Sequence, residues 1–507
     1  MTITRRSGVP PEPGAFSRLT ASQCEQLHEA TLRVLARTGL VMEDPEAREL
    51  MRRAGAEVDG ARVRLGGSIG ARLVEWALSV VPKSVTLYDR EGLPAMKLEG
   101  RNTYFGPGSD CIYCWDHRTA SRRRAVLQDV VDTARLVDAL ANYDFTMSLF
   151  TPSDVTPQVM DRHQMEAMLC NCAKPIVYVT MNDPQAHLDI TRMAEAVAGG
   201  AGALEAKPFL ACYKNTLLPL HHNQEALRTL IDLSRRGLPC IYSPVSTAGT
   251  MTPMTVLGSL VVVHAGVLAG LVLSQLVREG ALFIAIGWAG ESHNMRHMRD
   301  MFAQPDHRAI YASLLHWYGL PMWTLGGITE AKLPDQQAAA EAALTIMADA
   351  VAGGHMIHDI GFMESSFTGS LTQLALCDDI IGWVKSFLAP VEITEEELAL
   401  DVIDEVGPSG TYLAHTHTRR HARERWEPRV FDRASWGSWT KAGGETAGGA
   451  QGGAAGNAGG RDATTRAAAV VDQILAAPVA NPLPPDVATA VHAVVDEAER
   501  RAAGGGD

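Results

Sequence analysis

Pro321-Met322-Trp323-Thr324-Leu325 is a short apolar run closed by Gly326-Gly327, and a helical segment, Ala338–Val351, separates it from a second such run, Met356-Ile357-His358-Asp359-Ile360, closed by Gly361. A run too short for a helix, a punctuating glycine and then a segment of helical period is the strand–helix unit of a parallel sheet. Working outward finds the same unit repeated. Upstream the runs are Leu282–Ile286, Cys240–Val245, Phe209–Tyr213, Pro175–Thr180, Phe145–Phe150 and Thr103–Phe105, with Leu127–Leu140, His187–Val197, Glu225–Arg235 and Arg308–Tyr318 among the helical spacers. Eight units over roughly 280 residues predict an α/β fold of the TIM (β/α)8 barrel type rather than an open doubly wound sheet.

The remainder of the 507 residues flanks that barrel. Residues 1–100 read as an N-terminal α+β layer, 101–440 as the barrel with trailing helices, 441–462 as a linker and 463–507 as a C-terminal helical extension. In the first layer Ser22 and Glu25 have the spacing of a capping box, Asp44-Pro45 starts a short helix, and Asp59-Gly60 marks a hairpin between Val58 and Val63. After the barrel, Glu392–Glu405 reads as one acidic helix. Gly443–Gly460 is a Gly/Ala tract with a linker's composition. Ala467–Leu475 and Pro485–Arg500 read as helices that dock on their own domain or on a neighbouring subunit, so a homo-oligomer is expected.

A formal charge of −13 and a pI near 5.7 argue against nucleic acid as a partner. Eight cysteines form no disulfide framework, and Met1 to Pro10 has no apolar run behind it, which predicts a reducing cytoplasm. Val256–Val277 is almost wholly apolar and holds Gly266 and Gly270 in a GxxxG spacing. His264, Ser274 and Gln275 interrupt it and Pro253 with Thr255 resembles a helix start, so it is expected to be a buried helix and no membrane partner is predicted.

Catalytic groups of such a barrel project from the C-terminal strand ends. Those ends carry Ser109-Asp110, Ser153-Asp154, Asn182-Asp183, Lys214-Asn215, Ser243 with Ser246, Trp288 with Glu291, Glu330 with Lys332, and His358-Asp359 with Glu364. Tyr104, Tyr113, Phe150, Tyr213, Tyr242, Trp288, Trp323 and Phe362 gather at the same places, although aromatics are only 6% of the chain. Aromatic faces beside carboxylates suit a cationic ligand, above all a quaternary ammonium. Tyr104 and Tyr242 read as core fillers. The lone Cys111-x-x-Cys114 and the pair Cys170 and Cys172 lack the four convergent ligands of a zinc site, so no tightly bound metal is predicted. His415, His417 and His421 could bring imidazoles together if Thr416 begins a helix, and in their Arg-rich stretch they read as a surface or interfacial cluster.

Several runs then resemble, in order and spacing, the trimethylamine methyltransferase family. They are Gly106-Pro107-Gly108, Phe150-Thr151-Pro152-Ser153-Asp154, Pro244-Val245-Ser246-Thr247-Ala248-Gly249, Gly326–Lys332, His358–Ser365, Asp401–Pro408 and His415-Thr416-His417. The resemblance implies a barrel that moves a methyl group from a methylated amine to the Co(I) corrinoid of a separate small carrier protein. It implies a corrinoid supplied by that partner, because Asp161-Arg162-His163 lacks the glycine of a carrier's cobalt-ligand motif. The archaeal trimethylamine enzymes carry pyrrolysine, whereas every position here is a standard residue. Demethylating a quaternary amine expels a neutral tertiary amine and needs no such adduct, so the chain resembles the glycine betaine branch.

On that reading Trp288, Tyr213, Phe150 and Phe362 are expected to cage the cation, and Glu330, Asp359 and Glu364 to supply negative field. Asn215, His358 and Lys332 are expected at a betaine carboxylate or at the corrinoid. Two other readings remain open: a phosphate- or carbonyl-handling isomerase or aldolase using Gly326-Gly327, Gly353-Gly354 or an imine at Lys214, and a non-catalytic quaternary-amine binding protein.

Overall fold

A computed structural model describes residues 16–180, 183–305, 307–442 and 462–504. Residues 1–10, Asn182 and the Gly443–Gly460 tract therefore lie outside the described residues. Seven parallel strands run in the order Tyr104–Pro107, Met356–Ile360, Met322–Leu325, Phe283–Ile286, Cys240–Ser243, Leu210–Asn215 and Ile176–Val179. Each of the eight apolar runs lies in the barrel wall, but the second forms no regular ladder. Residues 145–150 close the gap through a Thr146–Ile176 bridge, Asp144 and Phe145 amides donating to the Phe105 carbonyl, and the Leu149 amide donating to Gly108. Two local causes make this stretch irregular. The Asp144 carboxylate accepts from the Phe105 amide at 2.9 Å and pairs with Lys385, and Leu149 sits at φ +57.

The first helix is Ala21–Arg37, and its cap is Thr20 with Gln23, two residues ahead of the expected Ser22 and Glu25. Pro45–Arg53 begins at the Asp44 cap, and Glu57–Asp59 pairs antiparallel with Arg62–Arg64 around Asp59-Gly60. This layer is tied to the barrel by a separate four-stranded sheet, in which Leu40–Met42 pairs in parallel with His221–His222 from the loop after Leu210–Asn215.

The layer explains the apolar Val256–Val277 helix. It is hydrophobic all round because the strands lie on one side and the helices Ala21–Arg37, Pro45–Arg53 and Gly67–Val80 on the other. Of its most apolar window, 72% is buried within the protein. A Cβ at Gly270 would lie 2.4 Å from the Tyr242 ring and one at Gly266 2.3 Å from the Pro219 carbonyl. The small residues therefore seat this helix on its own barrel.

His264, on the same helix, is fully buried against Tyr311 and Tyr318, and burial pushes its pKa down to about 3. The folded protein thus refuses a proton that the unfolded chain accepts near pH 6.5, so this contribution to stability is complete above pH 6.5 and lost as pH falls towards 3. Between those limits unfolding free energy should fall up to about 1.4 kcal/mol per pH unit more steeply in the wild type than in His264→Gln. Denaturant titrations across that range check the slope, and parallel slopes would refute the assignment.

The acidic stretch after the barrel is not one helix. It divides into Glu395–Leu398 and Leu400–Val406 because Ala399 adopts φ +50. The final helices return to the barrel: Ala463–Ala476 packs on Leu371–Phe387, and Pro485–Gly504 packs on Met160–Asn171 and Pro184–Ala198.

Candidate active site

Alternation along a strand decides which side chains enter the barrel. On Leu210–Asn215, Tyr213 and Asn215 face inward and Lys214 faces out. The Lys214 ammonium meets Glu225 at 2.5 Å and Thr180 at 3.1 Å, buried between strand and helix. An amine held as the cation of a buried pair, away from the barrel interior, is not placed to form an imine. Tyr242 likewise points outward, its hydroxyl 2.9 Å from His222 Nδ1. Tyr104 packs at the N-terminal end of the barrel with its hydroxyl on Lys97.

The inward rings form one cluster. Trp323 lies 4.1 Å from His358 and 5.5 Å from both Phe145 and Tyr213, between ring centroids, and Trp288 lies 5.5 Å from His358 and 6.5 Å from Tyr213. Trp323 is fully buried, whereas Tyr213 and Trp288 retain slight exposure, so Trp323 makes the floor and the other two the walls. Phe362 stands beside Asp359, because a Cβ at Gly108 would meet its ring at 2.4 Å and the Asp359 carboxylate at 2.5 Å. Phe150 does not join them: it is wholly buried and packs behind Gly369.

His358 and Asp359 both reach the mouth because the last strand breaks register between Ile357 and Ile360, and Asp359 takes φ +70. Such a bulge re-aims consecutive side chains to one side. His358 Nδ1 lies 2.6 Å from the Thr324 carbonyl, which can only accept, so Nδ1 carries the proton. Burial drives the His358 pKa down to about 3, leaving Nε2 as a bare acceptor 3.2 Å from Asp359 Oδ1. Burial, Asp110 and Glu291 together push the Asp359 carboxyl well above the ordinary range.

Asp110, at φ +79, is raised chiefly by burial, although its side chain retains access to water. Asp110 therefore stands at the solvent-facing edge of the carboxyl cluster. Glu291 is 2% exposed; neither of its oxygens has a hydrogen-bond partner among the described residues, and His307 Nε2 lies 3.5 Å away. Asn215 Oδ1, the Ser243 and Ser246 hydroxyls and Trp323 Nε1 are also buried without partners among the described residues. Unpaired polar atoms converging at one barrel end are the expected lining of a ligand site.

The remaining expected residues sit further out. Half-buried Glu330 is pushed upward by burial and by Glu341, and its own amide donates to Glu341. Lys332 is exposed and donates to the Glu330 carbonyl, not to its carboxylate. Glu364 accepts from Arg122 at 2.8 Å and Thr368 at 2.7 Å, so its charge is spent on an ion pair that covers Tyr113. Asp110, Glu291 and Trp323 stood among the strand-end and aromatic candidates of the sequence but received no role there, because nothing beside them in the chain distinguishes them.

The glycine pairs offer no phosphate cradle. Gly326 and Gly327 donate their amides to the His358 carbonyl and Thr345 Oγ1, and Gly353-Gly354 precede Met356–Ile360 at the opposite end of the barrel. A recess of about 840 Å³ at that end, lined in part by Tyr104, His316 and His355, lies away from the carboxyl cluster. All eight cysteines are free thiols, and Arg162 is locked among Asp161, Asp183 and Asp189.

A family model described as trimethylamine methyltransferase matches residues 9–505. The chain belongs to the trimethylamine methyltransferase family. Among its relatives, a trimethylamine methyltransferase of Desulfitobacterium hafniense is 29% identical over 93% of this chain and 92% of that protein. A glycine betaine methyltransferase of the same species is 29% identical over 85% and 90%. A trimethylamine methyltransferase of Methanosarcina acetivorans is 29% identical over 95% of each chain. The solved monomethylamine methyltransferase of Methanosarcina barkeri is 11% identical, with a TM-score of 0.46 over 97% of this chain and 89% of that one. The family places the protein among the methyltransferases.

Proposed function

We propose that the protein transfers a methyl group from a quaternary methylated amine, such as a betaine, to the Co(I) corrinoid of a small carrier protein. The observation that carries this reading is the convergence of the Trp288 and Tyr213 rings, and of Phe362 beside Asp359, with Asp110 and Glu291 near enough to raise the Asp359 carboxyl. Ring faces and desolvated carboxyls favour an ammonium that cannot donate hydrogen bonds, because its attraction is electrostatic and undirected. The Ser243 and Ser246 hydroxyls, without a hydrogen-bond partner among the described residues, supply donors for a carboxylate tail.

The corrinoid, as methyl acceptor, supplies the nucleophile. The protein's residues hold the N–CH₃ bond in line and exclude water; the C–N bond breaks with its electron pair on nitrogen, which leaves as a neutral tertiary amine. No protein group needs to deliver a proton. Neutral His358 stands beside the Asp359 carboxyl, and exposed Lys332 suits contact with the carrier. Free thiols fit a reducing cytoplasm. Exposed Val391, Ile393 and Leu413 on the trailing arm fit self-association.

Reduced cobalamin mixed with glycine betaine should lose its Co(I) absorbance in the presence of the protein. Trp288→Ala should raise KM by about tenfold or more, the worth of roughly 1.5–2 kcal/mol of desolvated cation–π attraction. Binding without transfer would favour a quaternary-amine binding protein, and inactivity with a panel of methylated amines would overturn the proposal.

A further inference from the structure

On the trailing arm, away from the barrel mouth, Thr416–His421 forms a short helix with His417 and His421 one turn apart on a single face. Their rings lie 4.1 Å apart between centroids. Glu396, from Glu395–Leu398, reaches the same point, with its Oε1 2.9 Å from His421 Nε2 and 4.0 Å from His417 Nε2. One ligand atom from each of the three residues lies within 4.8 Å of the other two. From these three side chains we infer a binding site for a divalent zinc-type cation that clamps the two short helices of the arm together.

The donor set is two imidazoles and a carboxylate, which leaves a fourth position for water. Bond lengths near 2.0–2.1 Å put tetrahedral ligand atoms about 3.3 Å apart, so the observed separations close around an ion with small side-chain rotations. The surroundings orient the ligands. Glu424 Oε2 lies 2.8 Å from His421 Nδ1, which fixes the tautomer with its lone pair on Nε2, towards Glu396. His415 caps the helix by accepting from the His417 amide, and its other ring nitrogen faces Glu405 at 3.3 Å. The histidines are about three-quarters covered while Glu396 is half exposed, which gives an entry path. Arg420 touches Glu396 and competes with a cation for it. Neither helix buries a residue in the core, so the clamp supplies cohesion that packing does not.

The test uses full-length protein stripped with a chelator and titrated with Co²⁺, then Zn²⁺. The expected result is one equivalent of Co²⁺ with the visible bands of a nitrogen and oxygen site, no thiolate charge-transfer band, and displacement by Zn²⁺. His417→Ala/His421→Ala should lose this equivalent, Glu424→Gln should weaken it about tenfold, and Arg420→Gln should tighten it. Zn²⁺ should slow proteolysis between residues 390 and 425 in the wild type and not in the double variant. Unchanged Co²⁺ binding in a folded double variant, or a thiolate band as the sole signal, overturns the site. None of these readouts depends on methyl transfer.

Discussion

Asp359→Asn is expected to raise KM for a quaternary amine at least about 30-fold and to abolish the pH dependence of binding. A unit charge about 5 Å from an ammonium, at an effective dielectric near 20, gives about 3 kcal/mol, of which the cost of ionising the carboxyl takes back part. Asp359 holds its proton above the ordinary carboxylate range because it is buried beside Asp110 and Glu291. A cation in the recess favours the ionised form, so binding releases a proton and must tighten as pH rises through that raised pKa. Asparagine keeps the shape but cannot ionise. Initial rates against substrate across pH 5 to 9 check this, and a variant with wild-type KM and pH profile would remove Asp359 from the binding field.

Arg308→Met is expected to destabilise the protein by about 3–5 kcal/mol, the usual cost of leaving one partner of a buried ion pair alone. Arg308 is fully buried, meets Asp349 at 3.2 Å, and donates to the Leu325 and Phe302 carbonyls. It therefore fixes the end of the strand that carries Trp323. Burial lifts the Asp349 pKa to about 7 even with this cation beside it, so without Arg308 the carboxyl takes up a proton, and the loss falls on the Leu325 and Phe302 carbonyls left without their donor. Adding Asp349→Leu should restore much of the stability, since an apolar pair of similar volume avoids both desolvation costs. Chemical denaturation of the single and double variants measures the coupling; additive losses would contradict a paired role.

The sequence was most informative where local chemistry sets structure. Gly, Pro and Asn punctuate the eight apolar runs, and the apolar run Val256–Val277 coincides with its helix, although Thr255 at the N-cap makes no side-chain hydrogen bond. Legibility failed where a backbone break or a distant partner decides. Nothing local announces the bulge that turns His358 and Asp359 together, the φ of +50 at Ala399 that splits the acidic helix, or the Arg122 guanidinium that occupies Glu364. Phe150 looked equivalent to Phe362; each ring packs on a glycine, but only the glycine under Phe362 also touches the Asp359 carboxylate.

By itself, then, the sequence determined the strand–helix count, the barrel and the acidic, aromatic character of its mouth, because period and composition are properties of neighbours along the chain. The tertiary structure alone decided which carboxyls keep their protons, which lysine is already paired, and which rings share a recess. Those outcomes depend on burial and on charges brought together from strands far apart in sequence, and no local pattern encodes them.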